Sequence, residues 1–410
     1  MSEPGLRLLS AFGLVAICGL AWLCSTNRRR VPWRVIAWGT GLQLALGALL
    51  LRTAVGRRFF VAMNDAVDGL IRFTDAGTSF VFGSLRTTGF SFAIEVLPII
   101  VFMGSLFGIL FHLGLVQRGV QLLARGLARS MGLSGAESLS AVANVFVGMV
   151  EAPLLVRPYL ERMTRSELFC VMTTGMASIA GSVLVAYAKM LGQSEYAGHL
   201  VTASFLSAPA GVLIAKLMVP ETETPVTGSA GGALAVPTSA NVIDAAAEGA
   251  IAALRLAGYV GALLIAFVAL VAMANAGVGA LGHWVGIEGL TLQRIFGVIF
   301  APLALLMGVS PADALQVGSL LGVKTVLNEF LAYQDLAGLI ASGALSQRSA
   351  VIASYGLCGF ANFGSLAILI GGMGGMAPSR RGEIAAFGMR SIAAGTFASA
   401  MTGCVAGIFL

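Results

Sequence analysis

Two acidic residues stand inside apolar stretches of the sequence, and each of these stretches also contains a residue that interrupts helices. Glu151 lies between Gly148 and Pro153, and Glu329 follows Gly322 in a second, largely apolar segment. An ionised side chain at the centre of a bilayer costs about 2.5 to 3.5 kcal/mol on insertion scales. A chain that carries this cost twice is predicted to use the two carboxylates in a solute site.

The composition indicates an integral membrane protein. Hydrophobic residues make up 57% of the 410 residues and charged residues 11%, whereas a soluble domain carries about 25% charge. At ~20 residues per span, the chain has room for about eight transmembrane helices and some shorter segments. The short basic run Arg28 to Arg30 follows an apolar stretch, which is typical of a topology determinant. Membrane lipid is therefore an expected partner, and nucleic acid is not.

The order of apolar and amphipathic segments predicts an all-α fold of about eight transmembrane helices with two re-entrant helical hairpins in an inverted repeat. The predicted spans are residues 8–24, 35–51, 90–115, 168–191, 200–218, 259–274, 351–370 and 384–409. Amphipathic interfacial helices are predicted at residues 59–71 and 241–254. Residues 118–165 and 290–341 alternate in polarity and are predicted hairpins, each followed by spans. Such repeats with interrupted helices are typical of secondary transporters.

These elements predict four parts of the chain. Residues 1–89 would form a scaffold of N-terminal spans and an interfacial helix. Residues 90–219 would form the first repeat and residues 241–410 the second, together the transport core. Residues 220–240, rich in Pro, Gly, Thr and Ser, would be a cytoplasmic linker. The distribution of arginine and lysine places the linker in the cytoplasm and both termini on the other side.

The carboxylates of Glu151 and Glu329 are predicted to accept hydrogen bonds from a neutral polar solute, because one carboxylate can hold two donors. The alternative is a structural ion pair, with Lys324 as the nearest candidate partner in the sequence. The role of Glu95, inside the third predicted span, is left open by the residues alone. The three histidines, His112, His199 and His283, lack the spacing of a metal site.

Two further groups of residues carry possible ligands. Side-chain and freed backbone oxygens at four positions could hold an alkali cation, although hydrogen bonding between helices explains the same residue types. These positions are Asn144, Val147, Ser178 and Ile179. Asn362 and Ser365 could bond hydroxyl groups, and the ring of Phe360 could stack on a flat solute or could simply pack.

Several segments of this sequence closely resemble the concentrative nucleoside transporter family. They are NVFVGMVEAPLL, GMASIAGSVLVAY, NVIDAAAEGA, GVKTVLNEFLAY and SYGLCGFANFGS, and the resemblance covers residues 90–410. It implies eight spans, two re-entrant hairpins and interfacial helices, assembled as a homotrimer. It also implies a transporter rather than an enzyme, located in a bacterial cell (inner) membrane.

The resemblance assigns roles to the candidate residues. It implies a sodium site at Asn144, Val147, Ser178 and Ile179, which favours the cation over the alternative of helix–helix bonding. It implies ribose binding by Glu329, Asn362 and Ser365. Base recognition would then fall to Glu151, with Phe360 against the base.

The sequence departs from the family pattern next to Glu151. The family usually has Gly-Gln-Ser/Thr-Glu, whereas this chain has Met149 and Val150 before the glutamate. Neither side chain can supply the amide or the hydroxyl that bonds the edge of a base. A hydrogen bond is worth about 0.5–1.5 kcal/mol net, so two losses predict a weakening of roughly 10- to 100-fold for a standard nucleoside.

The sequence therefore predicts sodium-coupled import of a nucleoside or nucleoside-like solute, with Met149 and Val150 forming an atypical base-recognition site. Sodium would be the coupling ion. One alternative is proton coupling through Glu151 or Glu95, with a modified nucleoside or another sugar-bearing solute as substrate. Two alternatives remain. An intramembrane enzyme would need DxxD, HExxH or GxSxG motifs that are absent from suitable places in the sequence. A receptor without transport activity, in which the altered base site has lost turnover, is left open.

Overall fold

The structure is a computed structural model that describes residues 2–83, 85, 91–192, 195–228 and 239–410. These residues form α-helices without any β-strand among them. The helices of the first half are α1 Glu3–Leu23, α2 Trp33–Arg52, α3 Ala54–Phe82, α4 Phe92–Glu95, α5 Leu97–His112, α6 Leu115–Met131, α7 Gly135–Ala143, α8 Glu151–Leu154, α9 Arg157–Leu160, α10 Arg165–Ala177, α11 Gly181–Met190 and α12 Glu195–Met218.

The second half begins after the linker, of which residues 229–238 lie outside the described part. Its helices are α13 Val242–Trp284, α14 Leu292–Leu306, α15 Ala314–Val326, α16 Glu329–Ala341, α17 Gln347–Leu357, α18 Phe363–Met376 and α19 Arg381–Phe409, with a 3₁₀ turn at Pro378–Arg380 before the last helix. The predicted boundary between residues 89 and 90 also lies outside the described residues.

The all-α membrane class is confirmed. Seven stretches of the described residues are long and apolar enough to cross a membrane: Glu3–Leu23, Trp33–Arg52, Phe92–His112, Arg165–Met190, Glu195–Met218, Val242–Trp284 and Pro378–Phe409. They correspond to seven of the eight predicted spans. The eighth, residues 351–370, falls on two shorter helices, α17 and α18, so the count of eight and the re-entrant course of the hairpins stay predictions.

Two predicted spans are interrupted in the structure. The predicted helix at residues 168–191 ends at Ala177 and restarts at Gly181, and the predicted helix at residues 351–370 ends at Leu357 and restarts at Phe363. A hydropathy average reflects only how apolar a segment is. Apolar residues keep this average high whether they form a helix or an extended turn. The continuous helices predicted there are therefore wrong, and both breaks carry candidate site residues.

The opposite error occurs after the linker. An interfacial helix at residues 241–254 and a separate span at 259–274 were expected, but α13 runs without interruption over 43 residues. No proline stands between the two segments, and a single glycine such as Gly258 costs a helix only about 1 kcal/mol. Asn241 caps the start of α13 by accepting a hydrogen bond from the Asp244 amide at 2.9 Å.

The same sequence of elements occurs in both halves and places the candidate residues. In the first half, α7 is followed by a turn, by the short helices α8, which begins with Glu151, and α9, by the broken helix α10–α11 and by α12. In the second half, α15 is followed by a turn, by α16, which begins with Glu329, by the broken helix α17–α18 and by α19. Each turn contacts the break of its own half. The amide of Gly181 donates to the Phe146 carbonyl at 3.1 Å, and the Asn362 amide group contacts Glu329.

Candidate functional site

One cavity lies between the two turns and the two broken helices. Its volume is about 110 Å³, enough for several water molecules or a polar group of a solute, since one water needs roughly 10–15 Å³. All seven residues predicted to bind substrate line it: Met149, Val150, Glu151, Glu329, Phe360, Asn362 and Ser365. The sequence separates these residues by more than two hundred positions, and the fold brings them together.

The Glu329 carboxylate is held by two side chains from different elements. It accepts a hydrogen bond from the Tyr187 hydroxyl of α11 at 2.9 Å and one from the Asn362 side-chain amide at 2.7 Å. Glu329 is the first residue of α16, where the positive end of the helix dipole stabilises a negative charge. Two neutral donors thus orient the carboxylate, and no lysine or arginine of the described residues lies within salt-bridge distance of it, which leaves it suited to accept hydrogen bonds from hydroxyl groups.

Asn362 has two functions in this arrangement. Its side-chain oxygen caps α18 by accepting a hydrogen bond from the Ser365 amide at 2.7 Å. Its side-chain nitrogen then points to Glu329. The cap fixes the orientation of the amide group, since only the oxygen can accept from a backbone N–H. Asn362 and Ser365 are joined by this bond, so the three residues predicted to bind ribose form one connected group.

Glu151 occupies the other side of the cavity and is the first residue of the short helix α8. Its side chain is exposed to the cavity, and no side chain of the described residues donates a hydrogen bond to it. Met149 packs toward Gly175 of α10, and Val150 packs toward Gly372 of α18. The part of the cavity wall next to Glu151 is therefore apolar, with one carboxylate available to a donor.

The four predicted sodium ligands lie where the first turn meets the break between α10 and α11. The Asn144 side-chain nitrogen donates to the Thr174 carbonyl and to the Ser178 hydroxyl, the latter at 2.6 Å. The Asn144 side-chain oxygen is buried and has no hydrogen-bond partner among the described residues. Buried polar atoms are nearly always paired, so this orphan oxygen fits a cation ligand.

The backbone supports the same conclusion. Val147 lies in the turn after α7 and Ile179 in the break after α10, both outside helices. Neither carbonyl accepts a hydrogen bond from the part of the chain that the structure describes. Neutral amide, hydroxyl and carbonyl oxygens are the hard ligands that an alkali cation prefers, and half-helix ends with unwound carbonyls are where transporters bind sodium.

The predicted alternative for the acidic residues, an ion pair with Lys324, is not formed. The Lys324 ammonium donates to the Gly356 carbonyl at 2.9 Å and to the Ser399 hydroxyl at 3.0 Å. Glu95 does have a cationic partner, because Lys189 lies 2.7 Å from Glu95 and 2.9 Å from Asp75. Glu95 thus belongs to an ion-pair cluster outside the cavity.

Three polar residues near the cavity were not predicted as site residues. Ser182 and Asn328 line the cavity. Tyr187 is not a lining residue, but its hydroxyl donates a hydrogen bond to Glu329. Ser182 and Tyr187 lie in GMASIAGSVLVAY, and Asn328 lies in GVKTVLNEFLAY. Their positions in these two segments, close in sequence to the predicted ligands, could have marked them as candidates. Asn328 caps α16 through the Leu331 amide at 2.9 Å, which explains why a polar residue precedes Glu329.

Comparison with known proteins identifies the family. Residues 199–407 match the family described as "Na+ dependent nucleoside transporter C-terminus", residues 12–85 its N-terminal counterpart, and residues 93–194 a "Nucleoside recognition" family. The first match alone covers half of the chain.

Individual relatives agree over nearly the whole sequence. An uncharacterized transporter of Haemophilus influenzae is 44% identical, with 98% of each chain aligned. The mouse "Sodium/nucleoside cotransporter 1" is 39% identical over 98% of this chain and 64% of its own length. A solved structure of "CNTnw in an inward-facing substrate-bound state" is 42% identical, with 98% of each chain covered and a TM-score of 0.93.

These matches confirm the predicted family and its membrane location. The named relatives are transporters, as predicted, and not enzymes. They also agree with sodium as the coupling ion and with a nucleoside as the solute class. The chain belongs to the concentrative, sodium-dependent nucleoside transporter family.

Proposed function

We propose that this transporter imports a nucleoside or nucleoside-like solute together with sodium, and that its base-recognition side is atypical. The observation that carries the proposal is the single cavity lined by all seven predicted substrate residues. In this proposal Glu329, Asn362 and Ser365 bind the sugar hydroxyls. Glu151 accepts a hydrogen bond from the base or its substitute, and Phe360 packs against the ring.

The atypical character follows from the wall beside Glu151. Met149 and Val150 present apolar surface where an amide and a hydroxyl would pair with a base edge. A base whose polar edge meets this wall loses its hydrogen bonds to water without replacement, which costs about 1–3 kcal/mol for each unsatisfied group. The preferred solute therefore has fewer polar groups at that edge than a standard nucleoside.

Sodium binds first in the proposed cycle. A cation bound by Asn144, Val147, Ser178 and Ile179 links the turn after α7 to the break after α10. This link fixes the orientation of Glu151, so that its carboxylate faces the cavity. The solute then binds a prepared site. One positive charge that moves inward across ~100 mV supplies about 2.3 kcal/mol, which corresponds to a concentration gradient of roughly 50-fold.

We further propose that the chain works as a homotrimer, with residues 1–89 as scaffold and residues 90–219 and 241–410 as transport core. The support is α13, whose 43 residues expose large apolar side chains that include Ile251, Leu254 and Ile265. Such a face needs lipid or neighbouring protomers as cover. Native mass spectrometry of the protein in mild detergent tests this, and a monomer at all concentrations would contradict it.

The coupling is tested by reconstitution into vesicles. We expect uptake of a labelled nucleoside, chosen from a panel by thermal shift in sodium, to depend on an inward sodium gradient and to stop when choline replaces sodium. Asn144→Leu should abolish sodium dependence, and Glu329→Gln should abolish uptake. Asp335→Asn, in α16 but absent from the cavity lining, is the matched control and should transport normally.

Proton coupling gives a different result. If solute binding is the same in sodium and choline while uptake follows the pH gradient, the sodium assignment is wrong. Glu151 is the carboxylate that would then carry the proton, because Glu95 is already paired with Lys189. Counterflow of labelled solute distinguishes either carrier from a receptor that binds without transport.

A further inference from the structure

Lys324 is an ammonium group in the interior of the molecule that the transport cycle above does not use. It lies in the last turn of α15 and is 1% exposed. No carboxylate of the described residues lies within salt-bridge distance of it, and its two partners, the Gly356 carbonyl and the Ser399 hydroxyl, are neutral. A buried charge without an ionic partner is costly, so its surroundings must compensate for it.

Part of the compensation comes from Glu329, whose carboxylate attracts the ammonium from beyond contact distance. The rest comes from the ends of the broken helices. Gly356 is the penultimate residue of α17, so the ammonium contacts the C-terminal end of that half-helix. The other break lies close by: a Cβ atom at Gly359 would be 2.7 Å from the Ser399 hydroxyl and 2.9 Å from the Met176 carbonyl, in the last turn of α10. Each helix C-terminus carries about −0.5 elementary charge. The end of α10 thus lies against the Gly359 backbone, which neighbours Ser399, the second partner of Lys324.

In the first half of the chain an uncharged side chain makes a comparable contact. There Asn144, which directly follows α7, reaches the Thr174 carbonyl in the last turn of α10. In the second repeat Lys324, near the end of α15, reaches the Gly356 carbonyl in the last turn of α17. An amide whose oxygen has no partner thus makes in one half the kind of contact that an ammonium makes in the other.

We propose that Lys324 is a built-in cation, and that its ammonium compensates the end of α17 as a bound sodium ion compensates the end of α10. This inference rests on the proposed sodium site at Asn144. The second repeat then needs no ion of its own, and each protomer binds one sodium ion. Lys324 acts as a positioning residue, because it holds α15 to α17 and so keeps Glu329 next to Asn362.

The test counts sodium ions. Radioactive sodium alone is bound to the purified full-length protein at equilibrium, and the count is expressed for each protomer. The wild-type protein should bind one ion. Lys324→Gln gives the second repeat the amide that Asn144 gives the first and keeps a donor for the Gly356 carbonyl, so it should bind two. Lys324→Arg keeps the charge and should bind one, as should Thr325→Val, a neutral change at the next residue.

A reciprocal variant extends the test. Asn144→Lys places an ammonium at the end of α10, so this protein should bind no sodium and, unlike Asn144→Leu, should melt in choline at the temperature of the sodium-loaded wild type; a melting temperature equal to that of Asn144→Leu would overturn the inference. A wild-type count of two, or a folded Lys324→Gln protein that binds one ion, would overturn the inference while leaving sodium coupling intact. A wild-type count of zero would instead overturn the proposed function, and this inference with it. If Lys324→Gln does not fold, the wild-type count and the Asn144→Lys protein decide.

Discussion

At the scale of single residues, the candidate site side chains lie at the starts of helices. Glu151 and Glu329 each begin a helix, and Asn362 caps another. A helix start presents free N–H groups and the positive end of the dipole, which stabilise a carboxylate without a cation beside it. In the proposed function, the residue types at these positions therefore stabilise the helix starts and bind the solute.

Restoring the family pattern should restore binding of ordinary nucleosides. The double variant Met149→Gln, Val150→Ser is expected to bind uridine or adenosine roughly 10-fold or more tightly than the wild type, since it adds two hydrogen bonds of about 0.5–1.5 kcal/mol each. Isothermal titration in sodium measures the change. Met149→Leu is the apolar control and should leave the nucleoside affinity unaltered. Equal affinities of the double variant and the wild type would contradict the proposal that Met149 and Val150 weaken binding of ordinary nucleosides.

The two functions of Asn362 can be separated by substitution. Asn362→Ser keeps a residue that caps helices but loses the donor to Glu329, so stability should be nearly unchanged while solute affinity falls about 10-fold or more. Asn362→Ala loses both and should also lower the free energy of unfolding by about 1 kcal/mol. Thermal melts and binding curves on both proteins test this. If the serine and alanine proteins bind solute as well as the wild type does, Asn362 has only a structural role.

At the scale of elements, small residues let long helices pack closely enough to support the cavity. Gly104 and Gly108 of α5 face Ala245, Gly249 and Ala253 of α13, with spacing of four residues on each helix. Membrane helices commonly associate through such small residues, because backbones can then approach one another. Leu256, Val260 and Leu263, farther along α13, line the cavity, so this contact fixes one apolar wall of the site.

A larger residue at this contact should loosen the wall. A Cβ atom at Gly249 would overlap the Gly104 carbonyl oxygen, so Gly249→Val is expected to destabilise the protein by about 1–3 kcal/mol. Gly258→Val on the same helix is the control, because nothing lies within 4 Å of its Cβ position. Melting temperatures in detergent compare the two. A control that melts as low as Gly249→Val would point to helix propensity rather than packing.

At the scale of the whole molecule, the site is shared between the two repeats. Glu329 belongs to the second repeat but is held by Tyr187 of the first, a residue 142 positions away. Val150 of the first repeat packs toward Gly372 of the second. In the proposed function, a solute in the cavity contacts both halves of the chain at once.

Removing the link between repeats should weaken binding without unfolding the protein. Tyr187→Phe deletes the hydroxyl that bonds Glu329; a hydrogen bond to a charged group is worth about 1.5–3 kcal/mol, so solute affinity should fall roughly 10- to 100-fold. In a double-mutant cycle with Glu329→Gln the two effects should be strongly non-additive. Additive effects would mean that Tyr187 does not act through Glu329.

Much of the site was predictable because its residues stand out locally. A carboxylate in an apolar segment, or an asparagine before a helix, is visible from neighbouring positions alone. The breaks at residues 178–180 and 358–362 were not predicted, although their residues were. Hydropathy averages over a window of residues, so it cannot separate an extended turn of apolar residues from a helix.

The sequence by itself determined the membrane class, the order of elements, the family and the candidate residues, because all of these depend on residue type and short spacing. The tertiary structure decided which residues share a cavity, where the spans break, and that Lys324 contacts Gly356 rather than a carboxylate. These facts depend on contacts between residues tens to hundreds of positions apart, such as Asn362 with Glu329. Local pattern carries no information about distance in space, and only the packed helices supply it.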